Sequence, residues 1–294
     1  MFRLKKILVP IDFSERSTAA AEHAAAIAGR FDAELIFQHV VPPGPYEHGF
    51  IEGGYSPASV WPDREEMEAR LLDQMQALVT KTAGGREVIQ VVSWGDPAAE
   101  IERLAEHEQV GLIVMPTHGY GPFRRFALGS VTTKALHDLR FPVLTGAHVP
   151  EPPTAAKPYE LVVCAVDLGP HSSVVLRWAA GFAKAWDAEL LVVHAAPALD
   201  ATPADGQYFP ADLRQSVIRD KTAEIQELLD GIGVAGARID VDCAATVRYV
   251  VEAVQESRAD ALVIGRSADD SLLGRLRADS SALIREAPCP VISV

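Results

Sequence analysis

Residues 12–42 can be written above residues 167–197 without a single gap, at a constant offset of 155 positions. Asp12 falls on Asp167, Ser17 on Ser172, Ala24-Ala25 on Ala179-Ala180, and Asp32-Ala33-Glu34-Leu35 on Asp187-Ala188-Glu189-Leu190. His39 then meets His194, and Pro42 meets Pro197. The ends repeat as well. Gly111-Leu112-Ile113-Val114-Met115 resembles Ala261-Leu262-Val263-Ile264, and Phe141-Pro142-Val143 resembles Cys289-Pro290-Val291. Internal duplication limits the fold to one unit used twice. A chain of 294 residues divided by two matches the usual domain size. The stretch around Pro150, Pro152, Pro153 and Pro158 lacks backbone donors and restricts φ, which reads as a semi-extended linker. The expected layout is a first domain over 1–148, a linker over 149–158 and a second domain over 159–294.

Each copy alternates short apolar runs with longer amphipathic or Ala-rich stretches. In the first copy, strands are expected over Lys6 to Ile11, Leu35 to Val40, Val88 to Val92, Leu112 to Met115 and Val143 to Thr145. Helices are expected over Ser17 to Arg30, Glu65 to Lys81, from Pro97 after Asp96, and over Ser130 to Asp138. Near-continuous apolar strands separated by helices imply an α/β fold with a parallel sheet covered on both faces. Such doubly wound sheets bind ligands beyond the carboxyl ends of their strands.

The distinctive residues fall at those ends. Asp12 closes the first strand. After the fourth comes Pro116-Thr117-His118-Gly119, and ten residues later Gly129-Ser130-Val131-Thr132 opens a helix. Glycine permits close backbone approach, and the free N–H groups and dipole of a helix start favour an anion. Ser130 and Thr132 could add hydroxyl donors. The same spacing also suits a plain N-cap with turn-forming glycines.

Val9-Pro10-Ile11-Asp12-Phe13-Ser14, the strand end His39-Val40-Val41-Pro42 and the Gly119…Gly129-Ser130 loop resemble the universal stress protein family, over both halves of the chain. ATP-binding members carry Gly-x-x-Gly-x9-Gly-Ser/Thr between the fourth strand and the last helix; here it reads Pro116-x-x-Gly119-x9-Gly129-Ser130. The resemblance implies two five-stranded sheets in the order 3-2-1-4-5, forming an intramolecular pseudo-dimer through the last strand of each copy. It also implies an adenine nucleotide (ATP, with AMP or ADP as alternatives) accompanied where needed by Mg²⁺. Base and ribose would lie near Pro10, Ile11, Asp12 and Val40. Phosphates would lie near Gly119, Gly129, Ser130 and Val131, with Pro116, Thr117, His118 and Thr132 completing the cofactor-binding set.

Two departures matter. Pro116 replaces the first glycine of the signature, removing a donor. In the second copy Gly265-Arg266-Ser267-Ala268 lacks the second glycine, and counting back from Pro290 puts Arg277-Ala278 where the first copy has Gly129-Ser130. The second copy is therefore expected to be a scaffold and the first to hold the site.

Other chemistry is sparse. The net charge of −13 argues against nucleic-acid binding. Cys164, Cys243 and Cys289 form no CxxC pair, and no histidine spacing suits a metal. No apolar run is long enough to span a membrane, and a cytoplasmic protein is expected. Ser14, Ser17 and Ser130 have no evident base, and no Walker lysine follows a glycine-rich loop, so ATP hydrolysis should be slow and incidental. The expected function is a nucleotide-binding protein of stress response or signalling that acts through an unidentified protein partner. The alternatives are an interaction module without nucleotide and, third, a slow nucleotide hydrolase. A homodimer of the whole chain is compatible with each.

Overall fold

The computed structural model describes residues 2–43, 63–117, 129–146, 152–154, 158–196, 211–266 and 274–294. They form two compact units, the first built on Leu4–Arg125 and Gly129–Phe141, the second on Pro142–Val294 together with Met1–Arg3.

The first unit runs β1 (Lys6–Pro10), α1 (Glu15–Phe31), β2 (Glu34–Val41), α2 (Arg64–Thr82), β3 (Val88–Trp94), α3 (Pro97–Glu108), β4 (Leu112–Met115) and α4 (Ser130–Asp138). Its strands lie in the order β3-β2-β1-β4, all parallel. The apolar runs are central because both faces are covered: Ile7, Leu8, Val9, Leu112, Ile113 and Val114 have no exposed surface.

Helix starts follow capping chemistry. The Ser14 hydroxyl accepts from Ser17 N at 3.1 Å, so α1 begins two residues before the position expected from its alanine run. The Asp96 carboxylate accepts from Ala99 N at 3.0 Å, and Pro97 occupies the first turn of α3.

The second unit contains β5 (Val143–Thr145), β6 (Leu161–Ala165), α5 (Ser172–Trp186), β7 (Glu189–Ala196), α6 (Ala211–Gly231), β8 (Arg238–Cys243), α7 (Thr246–Ser257), β9 (Ala261–Ile264), α8 (Gly274–Glu286) and β10 (Val291–Ser293). Its order is β5-β10-β9-β6-β7-β8. The second copy thus takes the 3-2-1-4-5 arrangement in full, and the first unit takes its first four positions. The closing strand of the first copy, β5, packs with the second unit. It runs antiparallel to β10, pairing Val143 with Ser293, Leu144 with Ile292 and Thr145 with Val291. Hydroxyls reinforce the pair: Thr145 Oγ1 donates to Val291 O and Ser293 Oγ to Val143 O, each at 3.3 Å. Two such domains in one chain fit an intramolecular pseudo-dimer, and these are the two strands expected to meet.

Candidate functional site

In the first unit β1 lies between β2 and β4, so the carboxyl ends of three parallel strands share one edge of the sheet. Pro10 ends β1, Val40 sits near the end of β2, and Pro116 and Thr117 follow β4. The structure therefore brings Pro10, Ile11, Asp12 and Val40 to the same end of the sheet as Pro116, Thr117 and the start of α4. His118 and Gly119 lie outside the described residues.

The β1–α1 turn is built around Asp12. Its Oδ1 accepts from Ser14 N at 3.0 Å and from the Ser14 hydroxyl at 2.6 Å, while Phe13 between them takes φ +60°. Ile11 N donates to Gln38 O at 2.8 Å, continuing the ladder past the strand end. The His39 ring packs against Phe13 with centroids 4.7 Å apart, and its Nδ1 lies 2.7 Å from Ile11 O.

The second copy repeats this design. Asp167 Oδ1 accepts from Gly169 N at 2.9 Å and from the Ser172 hydroxyl at 3.0 Å, Leu168 takes φ +60°, and His194 Nδ1 lies 2.8 Å from Val166 O. The repeated aspartate and histidine thus share a structural task in both copies: the carboxylate fixes the turn, and the imidazole reads the carbonyl one residue before it. Their repetition needs no ligand. Ser14, the partner of Asp12, is not among the residues expected in the site. The spacing Asp-x-Ser was the available signal, because a short carboxylate two residues before a donor readily closes an Asx-type turn.

The α4 start is organised differently. Gly129 is its N-cap with extended backbone, φ −60° and ψ 151°, and no side chain caps the helix. Gly129 N donates to Thr117 O at 2.8 Å, and the Thr132 hydroxyl donates to Pro116 O at 2.9 Å. Thr132 is buried, Gly129 and Val131 are half-buried and Ser130 is exposed. The Thr132 hydroxyl, expected as a possible ligand donor, is instead spent locking α4 to the end of β4. With Gly129 N occupied as well, the groups left at the mouth among the described residues are the first-turn N–H groups, which a helix cannot satisfy internally, and the Ser130 hydroxyl. One turn into α4, Lys134 Nζ lies 2.8 Å from Asp96 Oδ1. The ion pair holds the Asp96 carboxyl below its ordinary range, first through the hydrogen bond from Lys134 and then through the capped Ala99 amide.

In the second copy α8 begins at Gly274, so Arg277 lies inside the first turn of a longer helix and not at its cap. The alignment of Arg277 with Gly129 by counting from the shared proline is therefore not an alignment of helix starts. No cluster of three potential metal-binding side chains occurs among the described residues, and no described helix is long and apolar enough to cross a membrane.

The universal stress protein family model matches residues 3–145 and again 158–294. A universal stress protein of Methanocaldococcus jannaschii is 35% identical over 140 residues, 48% of this chain and 80% of that protein. A universal stress protein of Mycolicibacterium smegmatis is 25% identical over 293 residues, spanning 98% of this chain and 96% of its own. Among solved structures, a universal stress protein from Archaeoglobus fulgidus superposes with a TM-score of 0.68 at 20% identity, covering 99% of this chain and 96% of that one. The last of these is a likeness of fold.

Proposed function

The chain belongs to the universal stress protein family, and from that premise we propose that its first copy binds one adenine nucleotide and that occupancy controls how the protein engages a partner in stress signalling. ATP is the favoured ligand, with ADP or AMP as alternatives, and Mg²⁺ would arrive on the phosphates. The observation that carries the reading is the start of α4. A glycine cap without a capping side chain, pinned from behind by Thr117 O and Pro116 O, presents a helix N-terminus at the carboxyl edge of a parallel sheet. Pro10, Ile11, Asp12 and Val40 share that edge and would face the base and ribose. His118 and Gly119 complete the phosphate-binding pattern in sequence.

The second copy serves as scaffold in this account, and the domain limits 1–148, 149–158 and 159–294 are those within which the two roles divide. A cytoplasmic location agrees with three buried cysteines that form no CxxC pair.

A second reading, an interaction module without nucleotide, is favoured by Pro116 and by the structural use of Asp12 in both copies. Denaturing the purified protein and identifying the released small molecules by mass separates the two. The nucleotide reading expects an adenine nucleotide at up to one per chain. Protein that releases none, and takes none up at millimolar MgATP, supports the interaction module instead.

A further inference from the structure

β3 ends the strand order of the first unit and β8 that of the second, and the two strands differ in charge. Among the described residues β3 has β2 as its strand neighbour and β8 has β7. An unpaired strand edge offers N–H and C=O groups to another chain unless something discourages it.

On β3, Gly95 N donates to Val41 O at 3.0 Å. In a parallel ladder alternate residues bond the same neighbour, so Ile89, Val91 and Ser93 face β2 with their backbone groups. The N–H and C=O groups of Val88, Gln90, Val92 and Trp94 then point away from the sheet. The strand carries no charge from Val88 to Trp94, and Ile89 is 46% exposed. Pairing β3 antiparallel with itself about a two-fold axis at Val91 sets Val88 opposite Trp94 and Gln90 opposite Val92 of the second copy. Every outward-pointing residue then meets an outward-pointing residue, and no charge is brought together.

The same operation on β8 fails. Ala244 N donates to Ala196 O at 3.2 Å, which leaves Ile239, Val241 and Cys243 pointing outward. The equivalent axis, on an inward-facing residue in the middle of the strand, falls on Asp240 or Asp242 and sets that carboxylate opposite its own copy, and like charges directly opposite are destabilising. Asp242 is moreover already held by Arg214 at 2.7 Å.

We propose that the outer edge of β3, which has no strand neighbour there among the described residues, is a self-association surface, through which two chains join antiparallel about Val91 as a symmetric homodimer. The surface lies on the opposite side of the first unit's strand order from β4, and it is independent of nucleotide.

The test uses the full chain in sedimentation velocity over a concentration series. Gln90→Pro removes an outward N–H that β2 does not use, and proline is tolerated on an edge strand in that position. By two-fold symmetry the change deletes two intermolecular hydrogen bonds at once, each worth on the order of tenfold, so self-association should weaken roughly a hundredfold. Ile89→Lys is the second variant; it charges the edge without touching its hydrogen bonds and should also give monomer. In the wild type, the amides of Gln90, Val92 and Trp94 should gain exchange protection as concentration rises. A wild-type chain that stays monomeric at high concentration, or a dimer that survives in both folded variants, overturns the proposal.

Discussion

Gly129→Asp is expected to weaken nucleotide binding by a hundredfold or more, to the point of abolition, while leaving the fold as stable as before or slightly more so. The two effects have opposite signs for one reason. Gly129 caps α4 at φ −60°, a conformation open to any residue, so a side chain there introduces no backbone strain. An aspartate at an N-cap accepts from the first-turn N–H groups and stabilises the helix over glycine by a few tenths of a kcal/mol. Those are the N–H groups the phosphates are proposed to use, and a fixed carboxylate both occupies them and repels a second anion. Two to three kcal/mol is a modest figure for such a loss, and corresponds to about thirty- to a hundredfold before repulsion is counted. Thermal unfolding and nucleotide titration on the same sample check both halves. Unchanged affinity in a well-folded Gly129→Asp chain would move the phosphates away from α4.

The second large effect is acid destabilisation centred on His23. This histidine lies on α1 with 6% of its surface exposed, and burial pushes its pKa down to about 4. The unfolded chain takes up the proton near the ordinary histidine value, about 6.5, whereas the folded chain resists until about pH 4. Stability from this group is therefore complete above pH 6.5 and declines as pH falls toward 4, by roughly 3 kcal/mol in all. Burial lowers the pKa of His194 too, which adds in the same direction. Asp96 and Glu108, whose pKa values lie below the ordinary carboxylate range, lose their contribution further into acid. Denaturant titrations at pH 7 and pH 4.5 on the wild type and on His23→Leu isolate the effect: the variant should lose much less stability across that interval. Equal losses in both would remove His23 from the account. The matching position of the second copy is Trp178, an aromatic that stacks on Phe182 at 5.1 Å and does not titrate.

Much of this architecture was legible because two signals agreed. The duplication fixed what repeats, and the apolar runs fixed where strands lie: the strands Leu112–Met115 and Val143–Thr145 occur with the expected bounds, as does the helix Ser130–Asp138 between them. Helix starts were harder, since they depend on which polar side chain turns back to cap. Ser17 looked like the beginning of α1, yet Ser14 does the capping and Ser17 is already inside. The second copy's last helix begins at Gly274, ahead of the position set by counting from Pro290, because nothing in a count of residues reveals an extra turn of helix.

The site was legible in place and less so in role. Its residues gather at one edge of the sheet, but a sequence does not tell a side chain aimed at a ligand from one aimed at its own backbone. Asp12 is bound by Ser14 and Thr132 by Pro116 O, so both appear first as builders of the site. His39 likewise serves the fold, through its contacts with Phe13 and Ile11 O.

The central claim, one nucleotide on the first copy and none on the second, is tested most directly by calorimetric titration of the full chain with MgATP. The account predicts a single class of sites with a stoichiometry of one per chain, lost in Gly129→Asp. Two equivalent sites per chain, or a single site that persists in that variant, would contradict it.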